Sequence, residues 1–120
     1  MVVNKKNHRP TSNDAYIGRV RSGMHYGNPF SFHGETLATV VVANRRECIN
    51  AFYDWIMGDA WQEVEPSRRK WIIQHLLALK GKTLVCWCAP LPCHGDVYEE
   101  LLQHIEEGDE VGQKLLQMMG

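Results

Sequence analysis

The sequence predicts an α/β protein with one core, built on a small mixed or parallel sheet of three to four strands flanked by about four helices. Three observations predict it. Short runs of strand-forming residues open the chain, "MVV" and "AYIGRV", and another, "KTLVCWC", lies deep in the second half. Between them stand two segments with apolar residues at helical spacing, "RRECINAFYDWIMG" and "SRRKWIIQHLLALK". The last strand then runs through a proline-containing turn straight into a further helical pattern. A length of 120 residues fits a single domain, 1–120, large enough to fold without staples.

The elements follow in order. "MVV" is a short strand, and "KKNHRPTSND" (5–14), with Pro10 and a Ser/Asn/Asp cluster, is a loop. "AYIGRV" (15–20) is a second strand in which Gly18 marks a bulge or a close backbone approach. "RSGMHYGNPFSFHGE" (21–35) holds three glycines and an Asn28-Pro29 step, so it reads as an ordered loop pinned by Phe30 and Phe32. "TLATVVV" (36–42) is β-branched and reads as a strand.

Asn44 with Glu47 forms a capping-box pattern that opens the first helix. Cys48, Ile49, Phe52, Trp55 and Ile56 make its apolar face, and Gly58 ends it. Pro66 suits the first turn of the second helix, whose stripe is Trp71, Ile72, His75, Leu76 and Leu79, with Gly81 as its stop. "KTLVCWC" (82–88) is a strand, "VYEELLQHIEE" a helix, and "DEVGQKLLQMM" a last short helix. This alternation is Rossmann-like; strand order is not fixed by it.

Composition narrows the partners. Hydrophobic residues make up 44% and charged residues 22%, as in water-soluble globular chains. The longest apolar run, "ATVVVA", is too short to cross a membrane, and "MVVNKKNHRP" lacks the apolar stretch of a signal peptide. A cytoplasmic chain with reduced cysteines is expected. The net charge of −1 hides an asymmetry. Up to Arg46, seven Lys/Arg face two acidic residues; from Glu47 on, six face twelve. The basic first half suits an anionic partner. Arg45/Arg46 and Arg68/Arg69/Lys70 read as solvated helix faces.

The chemistry concentrates in "VCWCAPLPCHGD" (85–96), with three of the four cysteines, a histidine and an aspartate. On a strand Cys86 and Cys88 share one face, and Cys93-His94-Gly95-Asp96 then stands at the start of a helix, where unpaired N–H groups favour anions. Four readings stay open. Cys86, Cys88, Cys93 and His94 supply four zinc donors, but C-x-C-x4-C-H lacks two spaced pairs, so no residue is assigned to a metal. Cys93 at a helix end is a candidate nucleophile; an anion-binding arginine six residues later is missing, since Glu99 stands there. A non-covalent phosphate cradle is the third reading, with Gly95 admitting the ligand and Arg19 as counter-charge; neither common glycine-rich nucleotide fingerprint is present. The fourth is plain core packing, which suits Cys86, Cys88 and Cys48.

"YIGR" (16–19), "GNPF" (27–30) and "LKGKTLVCWCAPLPCHGDV" (79–97) together resemble the domain of unknown function 4326 family of bacteriophages and bacteria. The cysteine block is also similar to a Cys-His-Arg signature in the domain of unknown function 488 family, although Gly95 stands where that arginine would be. Neither resemblance implies an activity or a cofactor; the first implies a phage or prophage setting and a site at the cysteine block.

These readings converge on one expectation: a nucleotide, nucleotide-like metabolite or nucleic-acid phosphate bound at 88–96, with turnover left open. Cys93, His94 and Asp96 are the candidate catalytic residues, and Asn4, Arg19, Asn28 and Gly95 the candidate ligand contacts. The alternatives are an accessory protein that acts by binding a host protein, and a small zinc-stabilised interaction module.

Overall fold

Two apolar runs far apart in sequence make one sheet. The computed structural model describes residues 1–33 and 38–120. In chain order it contains β1 (Val2–Asn4), β2 (Asp14–Tyr16), β3 (Phe30–Ser31), β4 (Val40–Val41), α1 (Arg45–Met57), α2 (Pro66–Gln74), β5 (Thr83–Cys86), α3 (His94–Glu107) and α4 (Glu110–Met119). A 3-10 turn, Leu76–Leu79, follows α2.

The main sheet is parallel with the order β1-β5-β2. Val2 pairs with Leu84 and Asn4 with Cys86 on one side of β5; Asp14 pairs with Thr83 and Tyr16 with Val85 on the other. The central strand is apolar without alternation because both its faces are covered. Leu84, Val85 and Cys86 are all buried. A second, two-stranded parallel sheet joins β3 to β4, with Phe30 opposite Val40.

Several expectations shift here. The strand expected over 36–42 comes down to Val40–Val41 among the described residues; 36 and 37 lie outside them. The loop expected over 21–35 contains β3, whose two residues are fully enclosed. β2 ends at Tyr16, so Gly18 stands beyond the strand rather than at a bulge within it. β1 and β2 are joined by residues 5–13 without a helix, so this link is not the helical crossover of a Rossmann-like unit. Asp14 organises that link: its carboxylate accepts from the Thr11 N–H at 3.0 Å, the Thr11 hydroxyl at 2.8 Å and His8 Nε2 at 2.9 Å.

The helices begin and end for local reasons. Asn44 Oδ1 accepts the Glu47 N–H at 2.9 Å, and the Glu47 carboxylate reaches back to Ala43 N–H at 3.1 Å, one residue beyond the usual capping box. Gly58, at φ 78°, ends α1 in the left-handed region. Pro66 opens α2 as expected, and the helix tightens into the 3-10 turn after Gln74. Gly112 lets α4 lie on α3: a Cβ there would sit 2.2 Å from the His104 carbonyl oxygen.

Phe52, Trp55, Ile72, Leu76, Tyr98 and Leu101 fill one core between the sheet and the helices. His75 departs from the expected stripe: it is exposed and stacks on Trp71 at 4.4 Å. The basic run 68–70 departs more. Arg68 is only 6% exposed and binds Glu65 together with the carbonyls of His25 and Gly27. Arg69 donates to the carbonyls of Trp55 (2.6 Å) and Ile56 (2.9 Å), closing the C-terminal end of α1. Unpaired carbonyls at a helix end need donors, and a long cationic side chain from the next helix supplies them.

Candidate functional site

Residues 17–31 would leave many carbonyls unpaired, and four side chains from three helices meet them. His94 Nε2 donates to Ile17 O at 2.6 Å, and Tyr98 Oη to Tyr26 O at 2.6 Å. Arg68 takes the carbonyls of His25 and Gly27. Cys48 Sγ donates to Phe30 O at 3.1 Å. Within the segment, Arg19 donates through Nε to Asn28 O (2.6 Å) and through Nη2 to Phe30 O (2.7 Å). A glycine-rich segment is thereby fixed as a wall.

The opposite wall is the segment after β5. Asn4 Nδ2 donates to the carbonyls of Trp87 and Ala89, both at 3.0 Å. Arg45 Nη1 donates to Pro92 O at 3.0 Å, and the guanidinium lies 4.8 Å from the Phe32 ring centre. Between the walls is a hollow of about 140 Å³. Arg19, Asn28, Cys93 and His94, expected from the sequence to converge, all line it.

The remaining expected residues stand elsewhere. Asn4 faces a different depression and acts as a clamp on residues 87–89. Asp96 completes a capping box: its Oδ2 accepts the Cys93 N–H at 3.0 Å, while Cys93 Sγ accepts the Gly95 N–H at 3.3 Å. The amino end of α3 is thus occupied by its own side chains rather than open to an anion. Gly95 is buried against the sheet and is not among the residues lining the hollow. A Cβ there would lie 2.9 Å from both Val2 and Ile17, so the glycine serves the packing of α3 on the sheet.

Electrostatics redistribute the chemical roles. Burial holds His94 down at about 4, against the Ile17 bond that raises it, so the ring is neutral near pH 7 with its proton on Nε2. Its edges rest on Phe52 and Tyr98. Hydrogen bonding to Cys86 and Cys88, with burial, pushes the Cys93 thiol far up. Donation from Cys86 and Cys93, helped by Arg45 and His94, holds the Cys88 thiol well below the usual range. Of these two thiols Cys88 is the one that ionises more readily. Burial lowers the Arg19 guanidinium, with the Cys48 and Cys88 sulfurs working the other way.

Sequence reasoning missed Arg45 and Cys88 as lining residues. Arg45 is the first residue of α1, directly after the Asn44 cap, so it points with that helix's amino end rather than with its solvated face. The sequence pattern puts Cys88 in the core of a strand through 88; β5 stops at Cys86, and Cys88 lines the hollow instead. Among the described residues, the three metal-type donors found within 4.8 Å of one another are His104, Glu107 and Asp109, where α3 meets α4, not the cysteine block. No helix is long and apolar enough to cross a membrane.

No curated protein and no solved structure matches the chain. The family model of the domain of unknown function DUF4326 matches residues 2–104, across both walls of the hollow, and the chain belongs to that family.

Proposed function

We propose that the hollow binds the phosphate end of a nucleotide, a nucleotide-like metabolite or a nucleic-acid strand. One observation carries this reading: Arg19 and Arg45 line the same small hollow, and neither has a carboxylate partner among the described residues. Arg19 spends two of its N–H groups on carbonyls, and Arg45 one, so both retain donors for an anion. A partly desolvated guanidinium without a carboxylate partner is stabilised when an anion arrives.

Size refines the ligand. About 140 Å³ is less than the roughly 300 Å³ at which pockets for whole drug-sized molecules begin, so the hollow suits one phosphoryl group rather than an entire nucleotide. The rest of the ligand would lie outside, where Trp87, also lining the hollow, is 57% exposed and offers a stacking face. Lys5 lies over that ring and over Tyr16, adding positive charge beside it.

Any turnover would rest on Cys88 as the available nucleophile rather than on Cys93, His94 or Asp96. A second reading, action by binding a protein partner without turnover, is favoured by Trp87 and Leu91, both exposed on the segment after β5. The proposal sets the chain in the cytoplasm of a bacterial or phage-infected cell, where its four free cysteines remain reduced.

Calorimetric titration with inorganic phosphate, AMP and a short single-stranded oligonucleotide tests the reading. Binding by the wild-type chain that disappears in Arg45→Glu supports it. Absence of heat for all three ligands with the folded wild-type protein rejects it.

A further inference from the structure

Trp87 lines the hollow and is exposed, yet its ring is held in place. Its Nε1–H donates to the Tyr16 hydroxyl at 3.1 Å, and Asn4 Nδ2 donates to its carbonyl at 3.0 Å. The Lys5 ammonium lies 5.6 Å from the indole centre and 4.9 Å from that of Tyr16. A fixed aromatic face beside a cation is the combination that takes a base together with the phosphate that follows it. Resting on the phosphate reading above, we infer that the ligand is a single-stranded nucleic acid with a phosphorylated end. The terminal phosphate enters the hollow, the first base stacks on Trp87, and the next phosphate meets Lys5.

The hollow suits an end rather than a passing strand. Asn28, Ser31, Cys86 and Cys93 line it and are all buried, so it closes on the core. At about 140 Å³ it holds one phosphoryl group whose single ester bond points back out. The charges match as well. A terminal phosphate carries about −1.5 to −2 at pH 7 and offers three oxygens, whereas each internal phosphate carries a single charge. Two guanidiniums, Arg19 and Arg45, face it with N–H groups to spare.

Lys5 selects a strand over a free nucleotide. A mononucleotide with its phosphate in the hollow has none left for the ammonium; a strand brings its second phosphate past the stacked base. Lys5 has no carboxylate partner among the described residues. Lys6 and Arg9 extend the basic segment, and the first acidic residue after them, Asp14, is engaged by Thr11 and His8. A duplex keeps its bases in its own stack, so Trp87 discriminates against it.

Calorimetric titration of the full chain at fixed salt tests this with thymidylate strands of about eight nucleotides, carrying a 5′-phosphate, a 3′-phosphate or neither. Thymidine monophosphate and inorganic phosphate are compared with them, and a uridylate strand separates RNA from DNA. A phosphorylated end is expected to bind about tenfold or more tighter than the bare strand, and about tenfold or more tighter than the monophosphate. Trp87→Ala should weaken the strand by about tenfold, and Trp87→Phe, which keeps a stacking face, should recover most of that. Lys5→Ala should reduce the slope of log affinity against log salt by about 0.7, one phosphate contact on a single strand. Lys70→Ala, on the exposed side of α2, should change nothing. Equal affinity for phosphorylated and bare strands, a monophosphate as tight as the strand, an undiminished Trp87→Ala, or a loss in Lys70→Ala equal to that in Lys5→Ala would each overturn the inference. If inorganic phosphate and the monophosphate bind and the strands gain nothing, this inference falls and the phosphate reading stands; if no ligand gives heat, both fall.

Discussion

The imidazole of His94 and the carbonyl of Ile17 meet at 2.6 Å, joining the first turn of α3 to the segment that leaves β2. A carbonyl only accepts, so the bond fixes the proton on Nε2 of a neutral ring. The histidine thereby becomes a strut between sheet and helix rather than a ready proton donor. Its neutrality has a thermodynamic consequence.

Burial lowers His94 from 6.5 to about 4 in the folded chain, whereas the unfolded chain titrates it near the usual value. The unfolded state thus binds the extra proton first as pH falls. The stabilisation is fully present above about 6.5 and is lost progressively as pH drops toward 4, amounting to about 3 kcal/mol across that window. His25, lowered by burial and then by Arg68, acts in the same direction; the half-buried His104, raised by Asp109, acts in the opposite one. Urea midpoints of wild type and His94→Gln should therefore diverge in shape between pH 6.5 and 4.5, the variant falling less. Parallel curves through that window would remove His94 from the account.

Arg69 should behave as a structural residue although it sits in a basic run. Its bonds to Trp55 O and Ile56 O close one helix with the side chain of another. Arg69→Ala is expected to cost about 1–3 kcal/mol by leaving two carbonyls short of donors. Lys at 69 should restore little, because one ammonium cannot reproduce a planar two-carbonyl fork. Lys70→Ala, at an exposed neighbour, should stay within about 0.5 kcal/mol of wild type. Thermal denaturation of the three variants compares them directly.

These two residues mark how far the sequence could be read. Asn44, Gly58, Pro66 and the apolar spacing of Phe52, Trp55 and Ile56 are local signals; α1 runs where they announce it, and α2 starts at Pro66 but gives way to the 3-10 turn after Gln74, short of the stop expected at Gly81. The run through Cys86 announces a buried strand, and it is the central one. Pairing of both β1 and β2 with β5 is set by contacts about seventy to eighty residues apart, on which periodicity is silent. Arg68 and Arg69 look like solvated charge because charge usually is; only the fold shows that the carbonyls of residues 25, 27, 55 and 56 need them. The small residues and cysteines of 85–96 made one wall of the hollow legible. The division of labour within it was not, because it depends on where β5 stops and on which arginines the two walls bring together.

Gly95 offers a test of the site's foundations. A methyl group there would press on Val2 from β1 and on Ile17 after β2 at 2.9 Å, forcing the amino end of α3 away from the sheet. Gly95→Ala should lose about 1–3 kcal/mol of stability. Because the same turn carries Cys93 and His94, the strain should also show locally, as faster hydrogen exchange at the start of α3 than at its Gly108 end. A stability equal to wild type, with unchanged exchange, would mean that the sheet and helix yield without cost.

The charges in the hollow predict effects of opposite sign for two neighbours. Arg45 brings a cation that has no carboxylate partner among the described residues, and Cys88 brings a thiol held well below the usual range by hydrogen bonding to Cys86 and Cys93, whose ionised form competes with any incoming anion. Removing the cation by Arg45→Ala should weaken phosphate binding by about tenfold, the loss of one charge-assisted hydrogen bond. Removing the competing anion by Cys88→Ser should strengthen it by roughly three- to tenfold, as one unit of repulsion disappears from a partly screened site. The double variant should fall between them, nearer to wild type than either single change. Raising the salt concentration should compress both effects if they are electrostatic. Titration of the four proteins with inorganic phosphate at pH 7 decides the matter: two single variants that shift affinity in the same direction would show that the cysteine contributes to binding through packing rather than through its charge.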